Sequence, residues 1–220
     1  MSVAAHLGIN AGEYDKSIAT LIPHYSELLD AAAEAVDIIA RDTPAVVDLG
    51  TGSGTLAHRI LRVRPKARII GIDEDPFMLT LAAKRLRGNI QTIEENFEAI
   101  FIPRCDVVTA SFSLHHVSTG GRKGRLYKRC FSSLRPGGML VSADCYLAES
   151  ARVQQRHRDA WLDHLQRVYT RAKAQKFLRN WAREDVYFTL EREIELLTEA
   201  GFAVEVTWRK DSFAVLMGLK

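Results

Sequence analysis

A chain of 220 residues with 47% hydrophobic and 26% charged content has enough apolar material for one sizeable core and is short for two. Its formal net charge of +3 is too small to indicate a partner by itself, and no apolar run is long enough to span a bilayer. The opening "MSVAAHLGIN" lacks a signal peptide's pattern, and Cys105, Cys130 and Cys145 stand outside any disulfide or metal-ligand spacing, so the expectation is a soluble cytoplasmic protein with no metal site, no membrane association and an open oligomeric state.

Residues 14 to 40 carry Ile18, Leu21, Ile22, Tyr25, Leu28, Leu29, Ala32, Val36 and Ile39 at helical spacing, with Pro23 a break. "AVVDL" is apolar without alternation, as in a strand buried on both faces of a parallel sheet. After "GTGSG", Leu56, Ile60 and Val63 repeat helically as far as Pro65. The unit then recurs: strand "RIIGID", helix from Pro76 to Arg87, strand "NIQTI", a short helix, strand "DVVTAS", helix from Lys123 to Leu134, the turn "LRPGG" and strand "MLVSAD".

Alternation of this kind predicts a doubly wound, Rossmann-like α/β fold with a mostly parallel sheet. Residues 149 to 178 predict one long helix. Thr189 reads as the N-cap of a helix closing at Gly201, and "FAVEVTW" and "SFAVLMG" read as an antiparallel hairpin through "RKD". One domain over 1–220 results: an N-terminal helical cover (1–43), a ligand-binding core (44–148), an inserted helical lid (149–188), and a closing helix and hairpin (189–220).

A glycine turn between a buried strand and a helix lets a ligand approach backbone N–H groups at a helix start. A dinucleotide site asks for G-x-G-x-x-G, and here the third position holds Thr55 while the glycine falls at 54. Asp48 beside the loop repels a pyrophosphate but suits a ligand that carries an ammonium and a sulfonium.

The segments "VVDLGTGSG", "IIGIDED", "DVVTASFSLHHV" and "LRPGGMLVSAD", in this order, resemble the class I S-adenosylmethionine-dependent methyltransferases. The resemblance covers residues 14 to 145 and extends to the closing helix and hairpin. It implies S-adenosylmethionine as cofactor, with Gly50, Thr51, Gly52 and Gly54 under its methionine part and Asp48 near the amino end. It further implies Asp73, followed by Glu74, on the ribose hydroxyls, Glu95 or Asn96 at the adenine, Phe97 beside the ring or in the core, and Ser111 beside the methionine chain. His115 and His116 are candidates for proton transfer or for structural hydrogen bonding. Tyr14 resembles a tyrosine that closes over the cofactor, and is a candidate on both the catalytic and the substrate side.

Acceptor contacts are expected from the cover, at Tyr14, Tyr25, Trp181, Arg183 and Tyr187; for Trp181 and Tyr187 the alternative is packing between lid and core. The leading function is methyl transfer to a small molecule by in-line displacement. Residues 150 to 183 hold nine Lys/Arg against Asp159 and Asp163, which keeps a transfer-RNA base as an alternative acceptor. A non-catalytic cofactor-binding or docking protein is the third reading.

Overall fold

A computed structural model describes residues 14–220, with their side chains from Lys16 onward. Two helices, α1 (Tyr14–Leu21) and α2 (Tyr25–Asp37), precede the sheet. They break at Pro23, and His24 adopts a left-handed backbone with φ 57°. Strands β1 (Ala45–Leu49), β2 (Arg68–Asp73), β3 (Gln91–Glu94), β4 (Cys105–Ser111), β5 (Leu134–Cys145), β6 (Ala203–Lys210) and β7 (Phe213–Leu219) form one seven-stranded sheet in the order 3-2-1-4-5-7-6. The first five are parallel, and β7 runs antiparallel to both β5 and β6.

Helices α3 (Thr55–Val63), α4 (Pro76–Arg85) and α5 (Gly120–Ser133) are the crossovers of the βα units. Asp75 caps α4 by accepting from the N–H groups of Phe77 and Met78, and Thr119 caps α5 by accepting from that of Arg122. The order of strands reverses between β1 and β4, and the crevice at their carboxyl ends is where ligands of such sheets bind.

Burial on both faces explains the unbroken apolar runs. Val46, Val107, Val141 and Val215 face a core shared with α1, α2 and α3, while Val47, Val108, Leu140 and Leu216 face a second core shared with α5 and α8 (Leu190–Glu199). Neighbouring residues of a strand point to opposite faces.

The stretch expected as one lid helix is two, α6 (Ala151–Gln166) and α7 (Arg171–Glu184). Thr170 accepts from the Lys173 N–H and so starts the second. These helices are built into the first core: Trp161, Leu165, Ala174, Leu178 and Trp181 are buried there, and the Trp161 indole donates to the Leu21 carbonyl at 2.8 Å.

The short helix expected after β3 is replaced by a turn. The Asn96 side-chain oxygen accepts the Glu98 N–H at 2.8 Å, Arg129 binds the carbonyls of Glu98 and Ile100, and Arg122 forks onto the Glu98 carboxylate at 2.9 and 2.8 Å. Side-chain bonds of this sort compete with helical ones. No helix among the described residues is long and apolar enough to cross a membrane.

Candidate functional site: a cofactor crevice and an imidazole–carboxylate cluster

The loop between β1 and α3 turns through three left-handed glycines, Gly50, Gly52 and Gly54, at φ 66°, 53° and 76°. Each has different surroundings. A Cβ at Gly50 would stand 2.4 Å from that of Ser113, and one at Gly54 would stand 2.7 Å from Leu86, whereas one at Gly52 meets nothing within 4 Å. Gly50 and Gly54 are bare because protein packs against them; Gly52 is bare beside open space. The backbone of Gly50 and Thr51 is tied to β2 by N–H bonds to the Ile72 carbonyl at 2.8 and 3.0 Å.

Asp48 lies beneath this loop. Its two oxygens accept from the hydroxyls of Thr51 at 2.7 Å and Thr109 at 2.6 Å, and it is buried. Burial pushes its carboxyl up to about 6, against the two hydroxyls, which favour the charged form. In this position it locks the glycine loop to β4.

Asp73 ends β2. One oxygen accepts the Gly52 N–H at 2.8 Å and the other the Asp75 N–H at 3.0 Å. A carboxylate oxygen has two acceptor sites, so each retains one for a ribose hydroxyl. Burial holds this carboxyl above its ordinary range, with the two backbone bonds acting the other way. Glu74 beside it is exposed, and Thr51 is buried under the loop.

On the adenine side, Glu95 is exposed and accepts its neighbour's Asn96 N–H at 2.9 Å. Phe97 packs on the second core, 3.6 Å from where a Gly50 Cβ would stand. Ser111 is half-buried at the end of β4. The next residue, Phe112, has φ 50°, a strained backbone for a bulky side chain, and its ring stacks on Tyr25 at 5.8 Å.

Beyond Phe112, a single 3-10 turn, Leu114–His116, carries the two histidines. His115 is buried, and its Nδ1 lies 2.6 Å from the Asp144 carboxylate at the end of β5. Burial alone would lower its pKa, but Asp144 and Asp185 together raise it; the same pairing holds the Asp144 carboxyl down in spite of burial. His116 is exposed, with Nδ1 3.3 Å from Asp185. Tyr187 donates to Asp185 at 2.5 Å and its ring lies 5.3 Å from that of His115.

Trp181 is buried between Phe177, stacked at 5.5 Å, and Trp161 at 5.5 Å, so its contacts are those of lid packing. Arg183 is exposed. Tyr14 opens α1, but its side chain lies outside the described residues. Thr109, Ser113, Asp144 and Asp185 were not among the sequence candidates. Their partners stand 61, 64, 29 and 69–70 residues away along the chain, and nothing in local spacing signals such contacts.

A left-handed glycine facing open space, a buried acid with free acceptor sites at the next strand end, and a sheet that reverses beside them are the features with which open α/β sheets receive a nucleoside. Residues 46–138 match the family model described as a methyltransferase domain. Over 218 residues the chain is 22% identical to a carboxy-S-adenosyl-L-methionine synthase of Nautilia profundicola, covering 96% of this chain and 92% of that one. It is 26% identical to the uncharacterized methyltransferase YrrT of Bacillus subtilis, covering 96% and 94%.

An O-methyltransferase family protein from Burkholderia thailandensis shares the fold, with a TM-score of 0.68 at 20% identity over 89% of this chain; the match spans only 55% of that longer chain. Over residues 46–138 the chain is similar to the methyltransferase-domain family, and these likenesses point to the class I S-adenosylmethionine-dependent methyltransferases, with S-adenosylmethionine as the ligand class. The residues present are compatible with that ligand: Gly52 borders open space, and the two Asp73 oxygens, each with one backbone bond, keep acceptor sites that ribose hydroxyls can use.

Proposed function

We propose that the protein transfers the cofactor's methyl group to a small molecule held between the carboxyl ends of β4 and β5 and the cover formed by α2 and the 185–189 segment. When bound, the cofactor supplies an electrophilic methyl on a sulfonium, a good leaving group. The chain's part is alignment. The Gly50–Gly54 loop and Asp73 fix the cofactor's two ends, and Ser111 and Phe112 border the methyl between them. In-line positioning of this kind accounts for a large share of the rate in such reactions.

One observation carries the choice of acceptor. Arg156, Arg167, Arg171, Lys173, Lys176 and Arg179 are all on the outer side of α6 and α7 or at their junction, while the opposite sides of these helices are buried in the core. The basic surplus is the solvated face of packed helices, whereas half-buried Tyr25, Phe112 and Tyr187 offer a compact aromatic surround near the strand ends. A cytoplasmic setting belongs to the same reading and suits three free, buried cysteines.

Incubation of the purified chain with methyl-labelled cofactor and a fractionated cell extract tests this reading. Label is expected in the low-molecular-weight fraction, and in the same amount after joint neutralisation of Arg156, Arg167 and Arg171. Label confined to transfer RNA, with a steep salt dependence that the triple variant flattens, would replace the small molecule with RNA. A modified cofactor as the only product would point to the reaction named for the Nautilia relative.

A further inference from the structure

Two imidazoles and two carboxylates meet where β4, β5 and the 185–189 segment converge. His115, His116 and Asp185 each offer one donor atom, and the three atoms lie within 4.8 Å of one another. We propose that His115 Nε2, His116 Nδ1 and Asp185 Oδ1 bind a divalent transition-metal ion whose open positions receive an oxygen donor of the methyl acceptor. The site stands on its own geometry; only the role given to the acceptor rests on the small-molecule reading.

The spacing suits such an ion. Donors bonded at roughly 2.0–2.1 Å to a tetrahedral centre stand about 3.3 Å apart by simple trigonometry. The His116 Nδ1 to Asp185 Oδ1 distance is already 3.3 Å; the His115 Nε2 to Asp185 Oδ1 distance is 3.9 Å and the edge between the two imidazole donors is within 4.8 Å, so these two edges close on the ion when it binds.

The surroundings hold the donors in place. Asp144 takes the Nδ1 side of His115, which assigns the proton to that nitrogen and turns the Nε2 lone pair toward the cluster; this carboxylate–histidine relay is the usual support of a metal ligand. The Asp144 carboxylate is itself anchored by the Cys145 N–H at 2.8 Å. Tyr187 holds the other oxygen of Asp185. The Val186 N–H donates to the His115 carbonyl at 2.9 Å, so the two segments that carry the ligands are joined by their backbones.

Charge and ligand type narrow the ion. With both imidazoles neutral, buried Asp144 and Asp185 leave two negative charges in the cluster, which a dication balances. Calcium and magnesium prefer all-oxygen ligands, whereas two imidazoles with one carboxylate suit zinc, iron, cobalt or manganese. Three protein ligands, one of them on an exposed residue, leave positions open. That is the pattern of a site that receives a substrate, as opposed to a closed structural one.

Cobalt(II) titration of the chelator-stripped, tag-free full chain, followed by visible absorption with zinc(II) competition, tests the proposal. One saturable equivalent is expected. Affinity should fall at least tenfold in His116→Ala, whose exposed position leaves the core untouched and whose melting curve checks the fold. It should fall similarly in Asp185→Asn, and by about 10–100-fold in Asp144→Asn, which alters only the support. Absence of saturable cobalt binding, or wild-type affinity in His116→Ala, would overturn the site.

Calorimetry with S-adenosylhomocysteine should give the same affinity in stripped and loaded protein. A failure there counts against the cofactor crevice and leaves the metal result readable. Methyl transfer that is equal in stripped and zinc-loaded protein would overturn the role given to the acceptor.

Discussion

Replacing Gly52 by valine separates the cost to the fold from the cost to the ligand. The residue has φ 53°, and a Cβ placed on it would have no atom within 4 Å, so the folded chain meets strain but no clash. Left-handed backbone costs an L-residue roughly 1–2 kcal/mol. At about 2–4 °C per kcal/mol for a chain of this size, the melting temperature should drop by about 2–8 °C.

Gly88 is a matched control: φ 80°, again with nothing within 4 Å, but at the end of α4. Gly88→Val should lose similar stability and keep wild-type affinity for S-adenosylhomocysteine. Gly52→Val should lose at least tenfold, or about 1.4 kcal/mol, because the side chain takes volume that the ligand needs. Thermal melts paired with calorimetry read both quantities. A folded Gly52→Val protein with wild-type affinity, or an equal loss in Gly88→Val, would refute the assignment of the crevice.

Asp73→Asn should weaken S-adenosylhomocysteine by about 1.5–3 kcal/mol, the scale of a hydrogen bond to a charged group; because burial raises the Asp73 carboxyl, wild-type affinity should fall on acidification while the variant's stays level in a calorimetric pH series. Asp48, pushed up to about 6 from about 3.9 in an unfolded chain, binds its proton more tightly when folded. Stability should therefore fall as pH rises from about 4 to about 6, by roughly 3 kcal/mol, and change no further above that; urea unfolding of wild type against Asp48→Asn isolates this slope, and parallel curves would count against it. Lys123 and Glu193 form a buried pair at 3.0 Å, with Tyr127 also donating to Glu193. Glu193→Ala should cost about 3–5 kcal/mol in urea unfolding, and Lys123→Met combined with Glu193→Leu should recover much of it.

The parallel sheet was legible because its strands are buried on both faces and read as unbroken apolar runs, as in "AVVDL" and "DVVTAS". The glycine loop was legible because left-handed turns leave few choices of residue. The split between α6 and α7 was hidden because both helices bury one side in the same core, so apolar spacing continues across Arg167–Thr170; only the capping hydroxyl of Thr170 marks the break. The turn at 96–99 depends on Arg122 and Arg129 from a distant helix, which propensity does not contain. The histidines were visible as a pair, but Asp144 and Asp185, which give them their chemistry, come close only through folding.

A crystal structure with S-adenosylhomocysteine decides whether the crevice beside Gly52 and Asp73 is the cofactor site. The homocysteine chain is expected against the open side of Gly52, both ribose hydroxyls within hydrogen-bond distance of the Asp73 carboxylate, and the sulfur facing the space bordered by Ser111 and Phe112. A nucleoside bound elsewhere, or a ribose turned away from Asp73, would contradict it.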